Sequence, residues 1–295
     1  LFSPLAIFKL VLLSRKFDII HVNLFPSFYL AFFIKIFSKV KLIYTEHSTF
    51  NRRRVIPIIR NLDRLFYNIY DSIICINTDV KNSLINHLGF NYKISTIENG
   101  INLDFIKNVP RININKLIPT IKESDFVLCQ VSSFIEPKDQ MTIVQAMRYL
   151  PENVKLILVG DGTKRRNVEN FVQSNNLDHR VFFLGIRNDA ISIIKSSDLC
   201  VLSSGHEGLS IFCLESFASE IPIIGSNVPG LRDLLDSNSL FDYKSQLSFS
   251  DLVIKILENS NFRADLINIG SFKINSYSMD ICFEKHALLY KKILF

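Results

Sequence analysis

Short runs of consecutive apolar residues alternate along this chain with longer segments in which apolar positions recur every three or four residues. Runs at 17–22, 40–45, 72–76 and 93–97 predict buried strands, and the periodic segments at 26–38, 57–69 and 78–88 predict the helices between them. Strand and helix in repeated alternation imply a parallel sheet. From Asn99-Gly100 to about Asp125 the pattern lapses into Asn, Lys, Pro110 and Pro119, which predicts a connector between domains. A second alternating series follows, with strands expected at 126–131, 154–159, 181–184, 198–202 and 221–225. Its helices are expected near 139–150, 164–175, 189–196 and 210–219. Helical segments at 247–259, 262–274 and 279–294 complete the chain. The pattern thus predicts two doubly wound α/β domains, in which ligands bind outside the carboxyl ends of the strands.

Composition narrows the class without changing this picture. With 295 residues, 48% hydrophobic and 21% charged, and Gly and Pro together only 19, the chain is globular rather than disordered or collagenous. The net charge of +6 is too mild to argue for nucleic-acid binding. Its distribution is uneven: residues 1–105 carry 13 basic and 7 acidic groups, and the remainder is balanced. Cys75, Cys129, Cys200, Cys213 and Cys282 form no CxxC pair, which predicts a reducing, cytosolic setting without a disulfide framework or zinc site. The chain opens inside an apolar stretch, Leu1 to Leu13, that lacks the marks of a signal peptide. The apolar stretch Leu24 to Tyr44 is broken by Lys35, Lys39 and Lys41, so its uncharged core falls short of a spanning helix.

Chemistry concentrates at one strand-to-helix turn, Ser203-Ser-Gly-His-Glu-Gly-Leu-Ser-Ile-Phe-Cys-Leu-Glu215. A helix starting near Leu209 or Ser210 would aim its free N–H groups at an anion, with Gly208 permitting close backbone approach. Glu207 in the turn and Glu215 one to two turns into the helix suit hydroxyl groups. A sugar nucleotide offers both hydroxyls and phosphate. On spacing alone, Glu207 as a helix cap and Glu215 as a solvated side chain are equally good readings.

Glu207-x7-Glu215, followed by Ala218-Ser-Glu-Ile-Pro-Ile-Ile-Gly-Ser-Asn-Val-Pro-Gly-Leu-Arg-Asp233, resembles the donor-site signature of the retaining family 4 glycosyltransferases of the GT-B fold. Thr96-Ile-Glu-Asn-Gly-Ile-Asn102 resembles that family's segment at the domain junction, and Val131-Ser-Ser-Phe-Ile-Glu-Pro-Lys-Asp-Gln140 its phosphate-binding loop. Leu158-Val-Gly-Asp-Gly162 and Val181-Phe-Phe-Leu-Gly185 resemble the next two strand ends. The resemblance implies two Rossmann-like domains facing across a cleft: an acceptor-side domain over 1–105, lacking its N-terminal part, a donor-binding domain over 106–278, and a final helix over 279–295 that crosses back to the first. It implies that Glu215 binds the ribose hydroxyls and Glu207 the transferred sugar. The Gly208, Leu209 and Ser210 backbone would face sugar and diphosphate, Gly185, Ile186 and Arg187 would frame the base, and Lys138 would neutralise the diphosphate. A cation is needed there because the leaving group gains negative charge as the glycosidic bond breaks.

In the first domain, Thr45-Glu-His-Ser-Thr49 places His47 where the family has a histidine close to the transferred sugar. His21 is the weaker candidate, and the run Arg52-Arg-Arg54 could reach an anionic acceptor. One departure stands out: many relatives, though not all, have an Arg where this chain has Ser133, and Arg232, Arg187 or Lys164 could supply compensation. No His-Glu-x-x-His or strand-end Asp-x-Asp is present, so no metal and no cofactor beyond the sugar-nucleotide substrate is expected. Gly160-Asp-Gly162 is not a dinucleotide fingerprint, and no Gly-Lys-Ser/Thr phosphate loop occurs.

The expectation is therefore a retaining, metal-independent transferase that moves a sugar from a nucleoside-diphosphate sugar to a glycan or lipid-linked acceptor. It is expected in the cytoplasm, at the inner face of the membrane, with peripheral contact through its basic first domain. A GT-B UDP-N-acetylhexosamine epimerase and a catalytically degenerate binding or scaffold member are the alternatives.

Overall fold

The computed structural model describes residues 3–49, 51, 54 and 56–295. The chain divides into two compact units, Leu1–Gly100 together with Asp280–Phe295, and Ile101–Met279.

The first unit opens with helix α1 (Pro4–Ser14), followed by β1 (Ile19–Asn23), α2 (Ser27–Phe37), β2 (Lys41–Glu46), α3 (Pro57–Asn68), β3 (Ser72–Cys75), α4 (Thr78–Leu88) and β4 (Ile94–Thr96). All neighbours are parallel, in the order β1-β2-β3-β4, so β1 is an edge. Alternation along the strands sends side chains to two faces. On one face Tyr44 joins Phe28, Tyr67 and Tyr70 in an aromatic cluster beneath α2 and α3. On the other, Ile43, Ile74 and Ile97 pack with Cys282, Leu289, Tyr290 and Ile293 of the last helix.

The second unit contains α5 (Leu103–Asn108), α6 (Ile114–Leu117), β5 (Phe126–Val131), α7 (Gln140–Ala146), β6 (Val154–Val159), α8 (Arg165–Ser174), β7 (Val181–Gly185), α9 (Ala190–Lys195), β8 (Leu199–Leu202) and α10 (Ile211–Ala218). Then come β9 (Ile223–Ser226), α11 (Leu231–Leu234), β10 (Leu240–Phe241), α12 (Gln246–Glu258) and α13 (Ser260–Ile274). The chain returns to the first unit with α14 (Met279–Leu294). Six parallel strands run in the order β10-β9-β8-β5-β6-β7. Two apolar layers sandwich them: Val127, Cys129, Ile157 and Cys200 face one side, Phe126, Leu128, Leu156 and Leu199 the other. Strand order reverses at β5, which pairs with both β6 and β8. That reversal fixes the crevice where a ligand fits.

Helix starts follow the capping residues. Asn77 accepts from the Val80 N–H, Asp139 from Thr142 and Ser210 from Cys213, each satisfying a donor of the first turn.

Some expectations are corrected. The connector at 99–125 is not bare chain: α5 and α6 lie in it, and Ile106, Ile114, Ile118 and Ile121 are buried in the second unit's core. Regularly spaced isoleucines carried that signal beneath the Asn and Pro residues. The helix at 139–150 ends at Ala146 and tightens into a 3₁₀ turn over Met147–Tyr149. The opening apolar stretch forms α1, although Leu5, Phe8, Leu12 and Leu13 are exposed. On α14 the packed stripe is Cys282, Leu289, Tyr290 and Ile293. Leu288 and Leu294 fall outside that stripe and are exposed.

Candidate active site

At the reversal of strand order, the loops after β5 and β8 are stitched together. The Asp139 N–H donates to the Ser203 carbonyl (3.0 Å) and the Gly205 N–H to the Pro137 carbonyl (2.9 Å). Lys138 ends the first loop just before the Asp139 cap, and Glu207 lies in the second. Their side chains, 19% and 10% exposed, form an ion pair between Lys138 Nζ and Glu207 Oε1. The sequence suggested a separate cation and a separate carboxylate. The fold makes them one partly desolvated pair.

Gly208 and Leu209 continue the turn to the Ser210 cap. Gly230, at φ +82°, closes the back of the same turn: a Cβ there would lie 2.3 Å from the Glu207 carbonyl oxygen and 2.7 Å from that of Gly208. Only glycine fits that approach.

Glu215 lies in the second turn of α10, half-buried. Burial pushes its carboxyl above the usual carboxylate range, with no cation offsetting it. Among the described residues its carboxylate has no hydrogen-bond or ion-pair partner. The solvated-helix-face alternative fails on that burial.

The remaining strand ends complete the rim. The Gly160 N–H donates to the Gly185 carbonyl (2.7 Å), joining the ends of β6 and β7. Gly160, at φ +132°, brings its turn against the 132–134 loop, where a Cβ would lie 2.1 Å from the Ser132 carbonyl oxygen. The Gly-Asp-Gly turn is thus a packing element for the loop containing Ser133, whose carbonyl accepts from Gln140 Nε2 (3.0 Å). Ile186 is 79% exposed, and Arg187 is held by Asp189 through two bonds of 2.8 and 2.7 Å. Each cation considered as a substitute for the arginine replaced by Ser133 has a partner: Arg187 with Asp189, Lys164 with Glu136, and Arg232 with Asn227.

In the first unit, His47 follows β2, and its Nε2 lies 3.2 Å from Asn23 Oδ1. Burial lowers its pKa, opposed by the neighbouring Glu46. His21 is bonded on both nitrogens, Nδ1 to the Tyr290 hydroxyl (2.7 Å) and Nε2 to Thr45 Oγ1 (2.6 Å). Burial, with His286 and His47 nearby, lowers its pKa to about 4, so it is neutral at pH 7. His21 and His47 line one cavity of about 480 Å³, together with residues of α14.

Of the arginine run, Arg52 and Arg53 lie outside the described residues. Arg54 is no free cation for an anionic acceptor: its guanidinium lies 2.7 Å from the buried Glu46 carboxylate and 3.3 Å from the Tyr67 hydroxyl. The Tyr67 hydroxyl and the Ser48 N–H also donate to Glu46. This network was not legible in the sequence pattern. Its signal was a glutamate at the buried end of a strand.

Lys35 and Lys41, of the basic first domain, pair with Asp71 at 2.8 and 3.8 Å, and Lys39 and Lys41 are exposed. Among the described residues no helix is long and apolar enough to cross a membrane, and no group of three or more His, Cys, Asp or Glu side chains could share a metal ion.

Comparison with known proteins matches residues 111–271 to the family of glycosyl transferases group 1 and residues 1–105 to Glycosyltransferase Family 4. A UDP-Gal:alpha-D-GlcNAc-diphosphoundecaprenol alpha-1,3-galactosyltransferase of Escherichia coli is 28% identical over 96% of this chain and 74% of that protein. An N-acetyl-alpha-D-glucosaminyl L-malate synthase of Bacillus anthracis is 28% identical over 84% of this chain and 68% of its own length. Among solved structures, Anabaena Alr3699/HepE in complex with UDP-glucose superposes with a TM-score of 0.88 at 17% identity, covering 98% of this chain and 84% of that one. The fold is that of the GT-B glycosyltransferases. Matched by that family over more than half its length, with its loops converging where a doubly wound sheet binds ligands, the chain belongs to the group 1 glycosyl transferases.

Proposed function

We propose that this glycosyltransferase takes its sugar from a nucleoside-diphosphate sugar and places it, with retention, on a glycan or lipid-linked acceptor, without a metal. The observation that carries the reading is Glu215, a half-buried carboxylate without a partner among the described residues, on the helix that opens at the reversal of strand order. Such a group costs stability unless a ligand donates to it. Ribose hydroxyls are donors of the right kind. Lys138 faces the departing diphosphate in this reading and Glu207 the hydroxyls of the transferred sugar, so ligand binding exchanges their mutual ion pair for contacts to substrate. Gly185, Ile186 and Arg187 frame the base, and the Gly208, Leu209 and Ser210 backbone faces the sugar and diphosphate. In this reading His47 is the residue that contacts the transferred sugar. The bond from the anomeric carbon to the diphosphate breaks as the bond to the acceptor oxygen forms on the same face of the ring, and the acceptor's hydroxyl proton passes to the departing phosphate oxygen.

Nucleotide-sugar use is supported by the relatives: the E. coli protein is named for UDP-Gal and a diphosphoundecaprenol acceptor, and the Anabaena structure holds UDP-glucose. A cytoplasmic location with peripheral membrane contact belongs to the same reading, supported by Phe8, Phe32, Ile36 and Phe37 exposed on α1 and α2.

Product analysis tests the mechanism. Transfer in excess EDTA should proceed and give the donor's anomeric configuration by proton NMR. An inverted product, or activity restored only by Mg²⁺ or Mn²⁺, refutes it. UDP titrated by calorimetry should bind, and absence of binding by any nucleoside diphosphate removes the donor assignment.

A further inference from the structure

We propose that the first unit carries a further ligand site, at the amino ends of its strands, that takes a small phosphate ester: the phosphate between Lys41 and Lys292, the organic part over an apolar floor. The site lies apart from the one already described and does not rest on the donor reading.

Placement comes first. A cavity of about 440 Å³ is lined by Lys41, Ser72 and Ile94, at the starts of β2, β3 and β4, and by Leu289, Lys292 and Ile293 of α14. Because these strands are parallel, their starts share one edge of the sheet, opposite the carboxyl ends.

Charge decides the class of ligand. The lining holds Lys41, Lys93 and Lys292 and, among the described residues, one acid, Asp71. That acid is already satisfied. Lys35 Nζ and the Leu42 N–H each donate to it at 2.8 Å; burial opposes its charge, yet these bonds hold its carboxyl below the usual range. Lys93 spends its donors on the Tyr67, Asn68 and Tyr70 carbonyls, at 2.9, 3.1 and 2.9 Å. Burial lowers its pKa to about 8, with Asp71 offsetting only part of the effect. Lys41, with its side chain 47% exposed, stands 3.8 Å from Asp71, beyond hydrogen-bond reach. Lys292 is exposed and has no partner among the described residues. Two ammonium groups, one from the sheet and one from the helix, thus have donors to give an anion, and a half-buried third gains from its charge. A phosphate dianion matches that surplus.

The neutral lining calls for an ester rather than the bare ion. Ile94, Leu289 and Ile293 form the floor, and Tyr92, 79% exposed, adds a flat ring. The Ser72 and Ser95 hydroxyls lie 3.5 Å from the Lys93 and Ile73 carbonyls, long enough to turn toward a ligand.

Lysine footprinting tests the proposal. The folded protein, in excess UDP, is acetylated with an N-hydroxysuccinimide ester at neutral pH, and each lysine is followed by peptide mass spectrometry. Glucose 6-phosphate, glycerol 3-phosphate, inorganic phosphate, glucose, sodium chloride of equal ionic strength and phosphatidylglycerol vesicles are compared. At least one ester should slow Lys41 and Lys292 together by the factor 1 + [L]/Kd, about threefold at twice Kd. Lys39, which lines a neighbouring cavity, should be unchanged. Inorganic phosphate should protect less than that ester, and glucose and sodium chloride should not protect. The Lys41→Gln, Lys292→Gln double variant should lose about tenfold or more in calorimetric affinity for the ester and keep that for UDP, whereas Lys39→Gln should lose neither.

Protection by neither ester, equal slowing of Lys39, or an unaffected double variant overturns the proposal. So does inorganic phosphate protecting as well as the esters, since the floor would then contribute nothing. Protection found only with the vesicles would make this a lipid contact and overturn it too. Lys138 in the same digest reports the donor site, so failure of the donor reading shows there and leaves this test standing.

Discussion

The hydroxyl of Tyr290 lies 2.7 Å from Nδ1 of His21, joining residues 269 positions apart, and this bond fastens the last helix to the edge strand of the first sheet. Tyr290→Phe leaves one nitrogen of a partly buried imidazole unsatisfied and should cost about 1–3 kcal/mol in urea unfolding. The pH dependence follows from the same histidine. Its pKa is near 4 when folded against 6.5 as the ordinary value, so between those values the unfolded chain binds the extra proton. Stability should therefore fall as pH drops from about 6.5 toward 4, and His21→Gln should flatten that limb. An unchanged limb in the variant contradicts the assignment.

Glu215 should trade stability for binding. With its pKa raised in the folded state, the folded chain binds more protons above pH 4.5, and stability declines as pH rises through that window. Glu215→Gln should raise the melting temperature at pH 7. Glu215→Ala should lose the hydrogen bonds to ribose, about 1.5–3 kcal/mol, or tenfold and more in UDP affinity. Calorimetry and a thermal melt on the same samples check both signs.

Lys138 and Glu207 should behave as a unit. Lys138→Ala strands the Glu207 carboxylate, 10% exposed, and should cost roughly 1–3 kcal/mol of stability as well as donor affinity. The Lys138→Met, Glu207→Leu double variant should recover most of the stability and none of the affinity. A double-mutant cycle with zero coupling would exclude the pair.

Glu46 and Arg54, with side chains 4% and 10% exposed, should be the most sensitive charges in the first unit. Arg54→Met leaves Glu46 buried without its cation, and removal of one partner of a buried pair costs about 3–5 kcal/mol. Restoration by Arg54→Lys should be incomplete, because a lysine cannot reproduce the guanidinium fork that reaches Glu46, Tyr67 and Ser83. Urea denaturation of the three proteins decides it.

What was legible from the sequence was whatever repeats. The strands at Phe126–Val131 and Val154–Val159 coincide with the apolar runs, because a strand buried on both faces is mostly apolar, Gln130 and Lys155 being their polar members. Leu240–Phe241 escaped notice, since two residues carry no period. Glu207 and Glu215 stood out in the strand-to-helix turn and Lys138 through the family resemblance, but their relations did not. Nothing in their spacing says that Lys138 reaches Glu207 while Glu215 stays unpaired. That depends on how the loops after β5 and β8 meet, a contact between residues about seventy apart in sequence. The cavity beside His47 was less legible still, because part of its wall comes from α14, where His286 and Phe283 read only as members of a terminal amphipathic helix.

The first unit is assembled from both ends of the chain, and that has a consequence for how the protein is born. Ile43, Ile74 and Ile97 are synthesised early, and the helix that covers them comes after the whole second unit. At ~5–20 residues per second, an oily sheet face waits roughly 10–40 s on the ribosome for its cover. The second unit, continuous in sequence, can finish folding during that interval. On a translating ribosome the order of maturation is thus the reverse of the order of synthesis, and the early face is where a nascent-chain chaperone would find its grip.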